Sequence, residues 1–215
     1  MKKNILNLSA IVLIATASVF TGCKKDDTTA PVITVTGGTT QTISLQGTYT
    51  EQNATATDDV DGAVTPTISG TVNVNLTGVY TITYTATDKA GNVGTATRTV
   101  TVVNDVDAMT GTYTCVIAGS PSTTYTQTIT ASTTLNKRIG FSKFSDYAND
   151  NTIYADIVGT TMTLPSQTAT QVGNPPADRT FAGTGTVTSS TAFGLNYTET
   201  TGGTTANTVE TFTKQ

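Results

Sequence analysis

Histidine and tryptophan are absent from all 215 residues, cysteine occurs twice, and only 12% of the side chains are charged. Without histidine there is no Ser-His-Asp triad, no imidazole zinc ligand and no imidazole acid–base chemistry. Without tryptophan, any platform for sugar rings has to come from the eight tyrosines and six phenylalanines. No segment holds a helical period, and the longest apolar run, residues 5–20, is shorter than the ~20 residues a spanning helix needs.

What is present is a strand-forming chain. Threonine makes up about a quarter of the residues, with Val, Ile and Tyr beside it, and such side chains suit a pleated surface better than a helix. Gly- and Asn-rich breaks recur roughly every ten residues, the spacing of sandwiches and small barrels. The expected class is all-β: an N-terminal immunoglobulin-like sandwich followed by a meander-type small β-barrel or sandwich.

The N-terminus resembles a bacterial lipoprotein signal. Met1-Lys2-Lys3 is a positive start, residues 5–20 an apolar run, and Phe20-Thr21-Gly22-Cys23 the ending at which such signals are cut. The resemblance implies that residues 1–22 are removed and that Cys23 is acylated and anchors the chain to a membrane. Cys115 is then the remaining thiol, and a single cysteine on a strand reads as a small buried apolar residue. Lys24-Lys25-Asp26-Asp27 is either a solvated tether or, by resemblance, an export tag that carries lipoproteins of Gram-negative bacteria to the outer face of the outer membrane. Asp27-Thr28-Thr29 resembles a short O-glycosylation acceptor centred on Thr28, the alternative being an unmodified linker. Past residue 22 the chain has nine basic and 15 acidic residues, a net charge of −6, which disfavours nucleic acid as a partner.

On that resemblance residues 23–30 are a lipidated cysteine and tether, and residues 31–103 have the size of one sandwich. Strand-like runs fall at 31–36, 42–45, 54–57, 64–69, 72–74, 79–87 and 95–103. In Val79 to Ala86, the residues Tyr80, Ile82, Tyr84 and Ala86 alternate with polar neighbours, the mark of a half-buried strand. Asp58, Asp59 and Asp61 crowd three carboxylates before Gly62. This is either a calcium site shared with Asp88 or Asn92, or a pair of Asx-type turns on a solvated loop. The segments Thr57 to Gly62, Gly78 to Asn92 and Arg98 to Val102 resemble the bacterial immunoglobulin-like repeat of surface proteins and pesticidal crystal toxins. That resemblance implies an immunoglobulin-like fold and a spacer or presentation role without catalysis.

After a linker at 104–110, residues 111–215 show eight strand-like runs, with one helical turn expected within 141–147. Gly111-Thr112-Tyr113, Leu164 to Gln167 and Phe181 to Gly185 resemble the C-terminal domain of outer-membrane lipoproteins linked to polysaccharide uptake. Among the acids Asp146, Asp150, Asp156, Asp178, Glu199 and Glu210, no spacing selects a glycosidase pair. The expectation is a non-enzymatic, lipid-anchored protein of the outer membrane, facing outward, that handles extracellular polysaccharide through Tyr113, Tyr125, Tyr147, Tyr154 or Tyr197 on one open face. The alternative is a structural or adhesive surface protein, with buried rings and a surface-protein partner.

Overall fold

The computed structural model describes residues 26–119, 121–171 and 177–215, and the side chains within these ranges except those of 147–152 and 171. Cys23 and the segment 1–22 expected to be a signal lie outside the described residues, as does the side chain of Tyr147.

Residues 31–103 fold as two facing sheets. One contains β1 (Val32–Val35), β3 (Ala54–Asp58) and β4 (Gly62–Val64); the other has the order β2 (Thr40–Ser44), β7 (Val93–Val103), β6 (Gly78–Thr87) and β5 (Thr67–Ser69). The pairing is antiparallel except where β2 runs parallel to β7. Ile82, Tyr84 and Ala86 are buried, as their alternation requires, and so are Leu45, Val100 and Val102. The run expected at 64–69 is two strands in different sheets. Val64 pairs with Ala56 and Ile68 with Tyr84, and Pro66, which has no N–H to donate, sits where the chain changes sheets. The run expected at 72–74 is not a strand. Its backbone serves the turn instead, with Val74 accepting from the Gln46 N–H at 2.7 Å.

A buried cation organises one edge of this sandwich. Arg98 is 1% exposed; its Nη1 donates to Glu51 Oε1 at 3.0 Å, its Nε to the Gly38 carbonyl at 3.1 Å, and its Nη2 to the Thr36 carbonyl. Tyr84 donates to the same Glu51 oxygen at 2.6 Å. Burial and the neighbouring Glu51 push the Tyr84 hydroxyl up to about 12, so it stays a donor at any physiological pH.

Residues 104–110 are more than a linker. Asn104 is buried, and its Nδ2 donates to the carbonyls of Ser132 (2.8 Å) and Leu135 (3.0 Å) in the second unit. Its Oδ1 accepts from the N–H of Lys137 at 2.8 Å and of Val106 at 3.3 Å. The 3-10 turn Asp107–Met109 then places Met109, with Val106, in the apolar core of the second unit. Direct bonds also join the units: the Thr77 N–H donates to the Thr133 carbonyl at 2.9 Å, and the Asn136 N–H to Gln46 Oε1 at 3.2 Å.

The second unit is a closed eight-stranded barrel: β8 (Gly111–Ile117), β9 (Thr123–Ala131), β10 (Arg138–Phe144), β11 (Tyr147–Val158), β12 (Thr161–Gln171), β13 (Ala177–Ser189), β14 (Ala192–Thr201) and β15 (Thr204–Lys214). Each strand pairs antiparallel with the next, and β15 returns to β8, with Phe212 opposite Cys115. The helical turn expected within 141–147 is a hairpin. Ser145 and Asp146 both have positive φ (54° and 62°), as a two-residue turn between twisted strands requires.

Phe141, Phe144, Phe181, Phe193, Phe212, Tyr113 and Tyr197 fill the barrel, with Phe193 stacked on Phe212 at 4.3 Å and Phe144 against Tyr197 at 4.9 Å. Threonines occupy most outward positions. A barrel in lipid has the opposite arrangement, an apolar outer band around a polar interior.

Truncating Asn104 removes the hydrogen bonds of four backbone groups at once. Asn104→Ala is expected to destabilise the chain by about 3 kcal/mol and to separate the unfolding of the two units into distinct transitions, as measured by calorimetry and urea denaturation.

Candidate functional site

The structure does not gather the tyrosines onto one open face. Tyr113, Tyr125 and Tyr197 alternate inward on their strands, at 0%, 7% and 3% exposure, because an eight-stranded barrel of this size needs its largest side chains inside. Tyr113 donates to the carbonyls of Met109 (2.9 Å) and Ser190 (3.1 Å), which ties the barrel wall to the turn that plugs it. Tyr154 faces outward beside a hollow of about 390 Å³, but its ring already carries a partner. The Arg138 guanidinium lies 3.8 Å from its centroid and is itself held by Asp156 through two bonds of 2.6 and 2.7 Å. A sugar face would have to displace that cation.

The acids are similarly engaged. Glu199 accepts from Arg179 and from Ser145 (3.0 Å), Asp178 from Thr170 (2.7 Å), and Asp146 pairs with Lys143 at 2.7 Å. Asp150 lies outside the described side chains. Glu210 is the exception in kind: it is fully buried in the barrel and accepts from the hydroxyls of Tyr125 and, at 3.0 Å, Tyr197. Burial pushes its carboxyl up to about 7; the two tyrosine bonds oppose this, and the charge of Asp146 adds to it. Burial is also the first cause that raises Tyr125 and Tyr197 and pushes the Cys115 thiol up to about 12. Cys115 is thus an inert, buried thiol, as its place on a strand suggests.

The outer face of β13, β14 and β15 has a different character. Two hollows, of about 400 and about 320 Å³, share Asn196 and Val209 and run together along β14. The outward positions at 182–188, 192–198 and 207–213 are Thr, Asn, Ala, Gly and Val, with no ionisable group. Thr184, Thr186, Asn207 and Thr211 line the sides, and Gly194 forms the floor.

The glycines here divide by cause. A Cβ on inward-facing Gly183 or Gly185 would stand 2.3 Å from the Asn196 carbonyl oxygen or 2.2 Å from that of Gly194, so close strand approach demands glycine at both. At Gly194 the nearest atom to a built Cβ is the Glu210 carbonyl oxygen at 3.6 Å, an ordinary contact, and φ lies outside the left-handed region. Glycine inside a strand is a liability to stability. The fold does not require it at 194; an unobstructed trough does.

In the N-terminal sandwich the acidic loop regroups. Asp61 accepts from the Lys89 N–H (2.6 Å) and Nζ (3.0 Å), and Asp88 binds the N–H and Nδ2 of Asn92, both at 2.8 Å. Burial raises the Asp88 carboxyl, but those bonds outweigh it and hold the group below its ordinary range. The acids whose carboxylates cluster with that of Asp58 are others. Among the described residues, Asp58 and Asp59 are joined by Asp27 of the tether, with one oxygen from each carboxylate within 4.8 Å of the others. Thr28 is exposed on the same tether.

Residues 33–102 match the family described as bacterial surface protein, Ig-like domain. The N-terminal unit is an Ig-like domain. No curated protein matches the chain. Among solved structures, the chain is similar to a lipoprotein from Bacteroides thetaiotaomicron, at 17% identity and a TM-score of 0.34, covering 86% of this chain and 100% of that one. It is also similar to a Clostridium perfringens ZmpB structure containing a carbohydrate-binding module in complex with GlcNAc and INT domains. There the identity is 20% and the TM-score 0.27, with 78% of this chain and 29% of that chain covered.

Two groups of residues escaped the sequence reading. Asp27 belongs with the Ig-like domain's acidic loop, yet it lies 31 positions before Asp58. The trough residues carry no aromatic ring, the feature that marks a sugar platform in sequence. Gly194, unexplained by any turn in Phe193-Gly194-Leu195, was the available signal.

Glu210 generates a pH prediction. Its folded value near 7 exceeds the ordinary 4.5, so the folded chain binds the proton more tightly than the unfolded one. Its contribution is full below pH 4.5, falls as pH rises through 7, and is a constant penalty above that, on the order of 3 kcal/mol. Glu210→Gln is expected to flatten the pH dependence between 4.5 and 7 and to be more stable than wild type at pH 8, by urea denaturation.

Proposed function

We propose that this chain is a non-catalytic protein of the bacterial cell surface, in which the Ig-like domain holds a solid barrel outward and the barrel binds neutral extracellular glycan along the β14 trough. The observation that carries the ligand class is the uncharged Thr- and Asn-lined trough over Gly194. Hydroxyl and amide groups pair with sugar hydroxyls, Val209 offers an apolar contact, and the net negative charge of the chain disfavours anionic polymers. Each such hydrogen bond contributes only about 0.5–1.5 kcal/mol net, so affinity is modest, with a dissociation constant of roughly 10 µM to 1 mM. The filled barrel supports recognition on its outside rather than in its lumen. Lipid anchoring through Cys23 to the outer membrane, facing outward, belongs to the same reading and rests on the sequence.

A second reading, a structural or adhesive surface protein, is favoured by the burial of Tyr113, Tyr125 and Tyr197. One substitution separates the two. Gly194→Val fills the trough and raises strand propensity, so the variant is expected to fold at least as stably as wild type while losing retardation in affinity gels across a panel of neutral polysaccharides. Equal retardation of both proteins would exclude the trough. A wild-type chain retarded by none of the panel supports the adhesive reading, and release of reducing sugar would overturn both. For the anchor, Cys23→Ala is expected to move the protein from the membrane fraction to the soluble or unprocessed pool.

A further inference from the structure

Asp58 and Asp27 each hold one carboxylate oxygen in a local turn and leave the other buried. Asp58 is 4% exposed, and its Oδ1 accepts from the N–H groups of Val60 and Asp61, both at 2.9 Å. Asp27 Oδ1 accepts from the Thr29 N–H at 3.0 Å. The Oδ2 atoms of both residues are buried without a hydrogen-bond partner. An unsatisfied buried carboxylate oxygen is costly, and two beside a third acid repel as well. The basic residue of the facing loop, Lys89, forms its ion pair with Asp61.

We propose that Asp27, Asp58 and Asp59 together bind one calcium ion, which fastens the tether ahead of β1 to the acidic loop of the Ig-like domain. The spacing admits the ion. Oxygens on opposite sides of Ca²⁺, at about 2.3–2.6 Å from it, stand up to roughly 5.2 Å apart, and Ca²⁺ accepts the irregular oxygen cage that a turn and a tether offer, whereas Mg²⁺ demands a strict octahedral array. The three acids come within 4.8 Å of one another.

The backbone is already arranged for the clamp. Asn92 Nδ2 donates to the Asp27 carbonyl at 3.1 Å and to Asp88 Oδ2 at 2.8 Å, so the 88–92 turn holds the tether from the other side. Pro31 is buried, and its carbonyl lies so close to Gly94 that a Cβ there would stand 2.0 Å from it. The tether therefore reaches the loop in a fixed path, and the ion supplies the positive charge that the two unpartnered oxygens lack. Its consequence is mechanical: calcium sets whether the segment between the anchor and the Ig-like domain is stiff or slack.

The test is calorimetric titration of the chelator-treated full chain with CaCl2, with melting curves and hydrogen exchange alongside. The expected result is one site per chain, with a dissociation constant of about 1 µM to 1 mM, a melting temperature raised by a few degrees, and a much smaller rise in MgCl2. Amide exchange at residues 27–30 is expected to slow at least tenfold. Asp58→Asn, which keeps the turn acceptor, and Asp27→Asn are each expected to weaken binding at least tenfold, while Asp61→Asn stays within twofold of wild type. Should Asp58→Asn fail to fold, Asp27→Asn on the tether still decides. No heat and no shift for the wild type would overturn the site; wild-type affinity in Asp27→Asn, or unchanged exchange with calcium bound, would overturn the clamp.

Discussion

Closure of the barrel by the β8–β15 pairing is the constraint on which the rest of the C-terminal unit depends. It joins the first strand of the unit to the last, with Tyr113 opposite Lys214 and Ile117 opposite Glu210, and so gives each strand a neighbour on both sides. Once the sheet is closed, every strand has one inward and one outward row. The inward rows must fill a narrow cylinder, which is why rings from six strands meet there and why Gly183 and Gly185 are needed where β13 approaches β14. The outward rows are freed from packing, and threonine can dominate them.

Closure also explains how the domains are held. The open end of a barrel would expose its apolar interior, and here Val106 and Met109 of the connecting segment cover it. The connection is thus part of the second unit's core. Asn104 then ties the last residues of the Ig-like domain to the β9–β10 loop, and the bonds from Thr77 and Asn136 fix the two units against one another. Two units joined in this way keep a direction as well as a distance between them. The buried Arg98–Glu51–Tyr84 network does similar work inside the Ig-like domain, where it fastens the 36–38 turn to β7 and β6.

The two sites differ in how much of each lies in local sequence. The β14 trough is local: three successive strands, a period of two, and a glycine that no turn accounts for. The acidic cluster is not. Asp58-Asp59 and Asp61 are adjacent in the chain, but a turn of the backbone sends Asp61 to Lys89, and the third member arrives from the tether. Spacing along the chain suggests Asp58, Asp59, Asp61 and Asp88 as a set; the path of the tether instead brings Asp27 beside Asp58 and Asp59.

The sequence by itself determined the class and the division of the chain. Threonine abundance, period-two alternation in 79–86 and regular Gly and Asn breaks specify half-buried strands, because β-branched side chains favour pleated backbone and turns need residues tolerant of positive φ. The motifs at 57–62, 78–92 and 98–102 sufficed to mark the Ig-like domain. Only the tertiary structure decided which face of each barrel strand was inside. Tyr113, Tyr125, Tyr154 and Tyr197 all lie in alternating strands, and alternation separates two faces without saying which one is covered. Closure put three of those rings in the core and Arg138 over the fourth, and it left the uncharged trough at Gly194 on the surface.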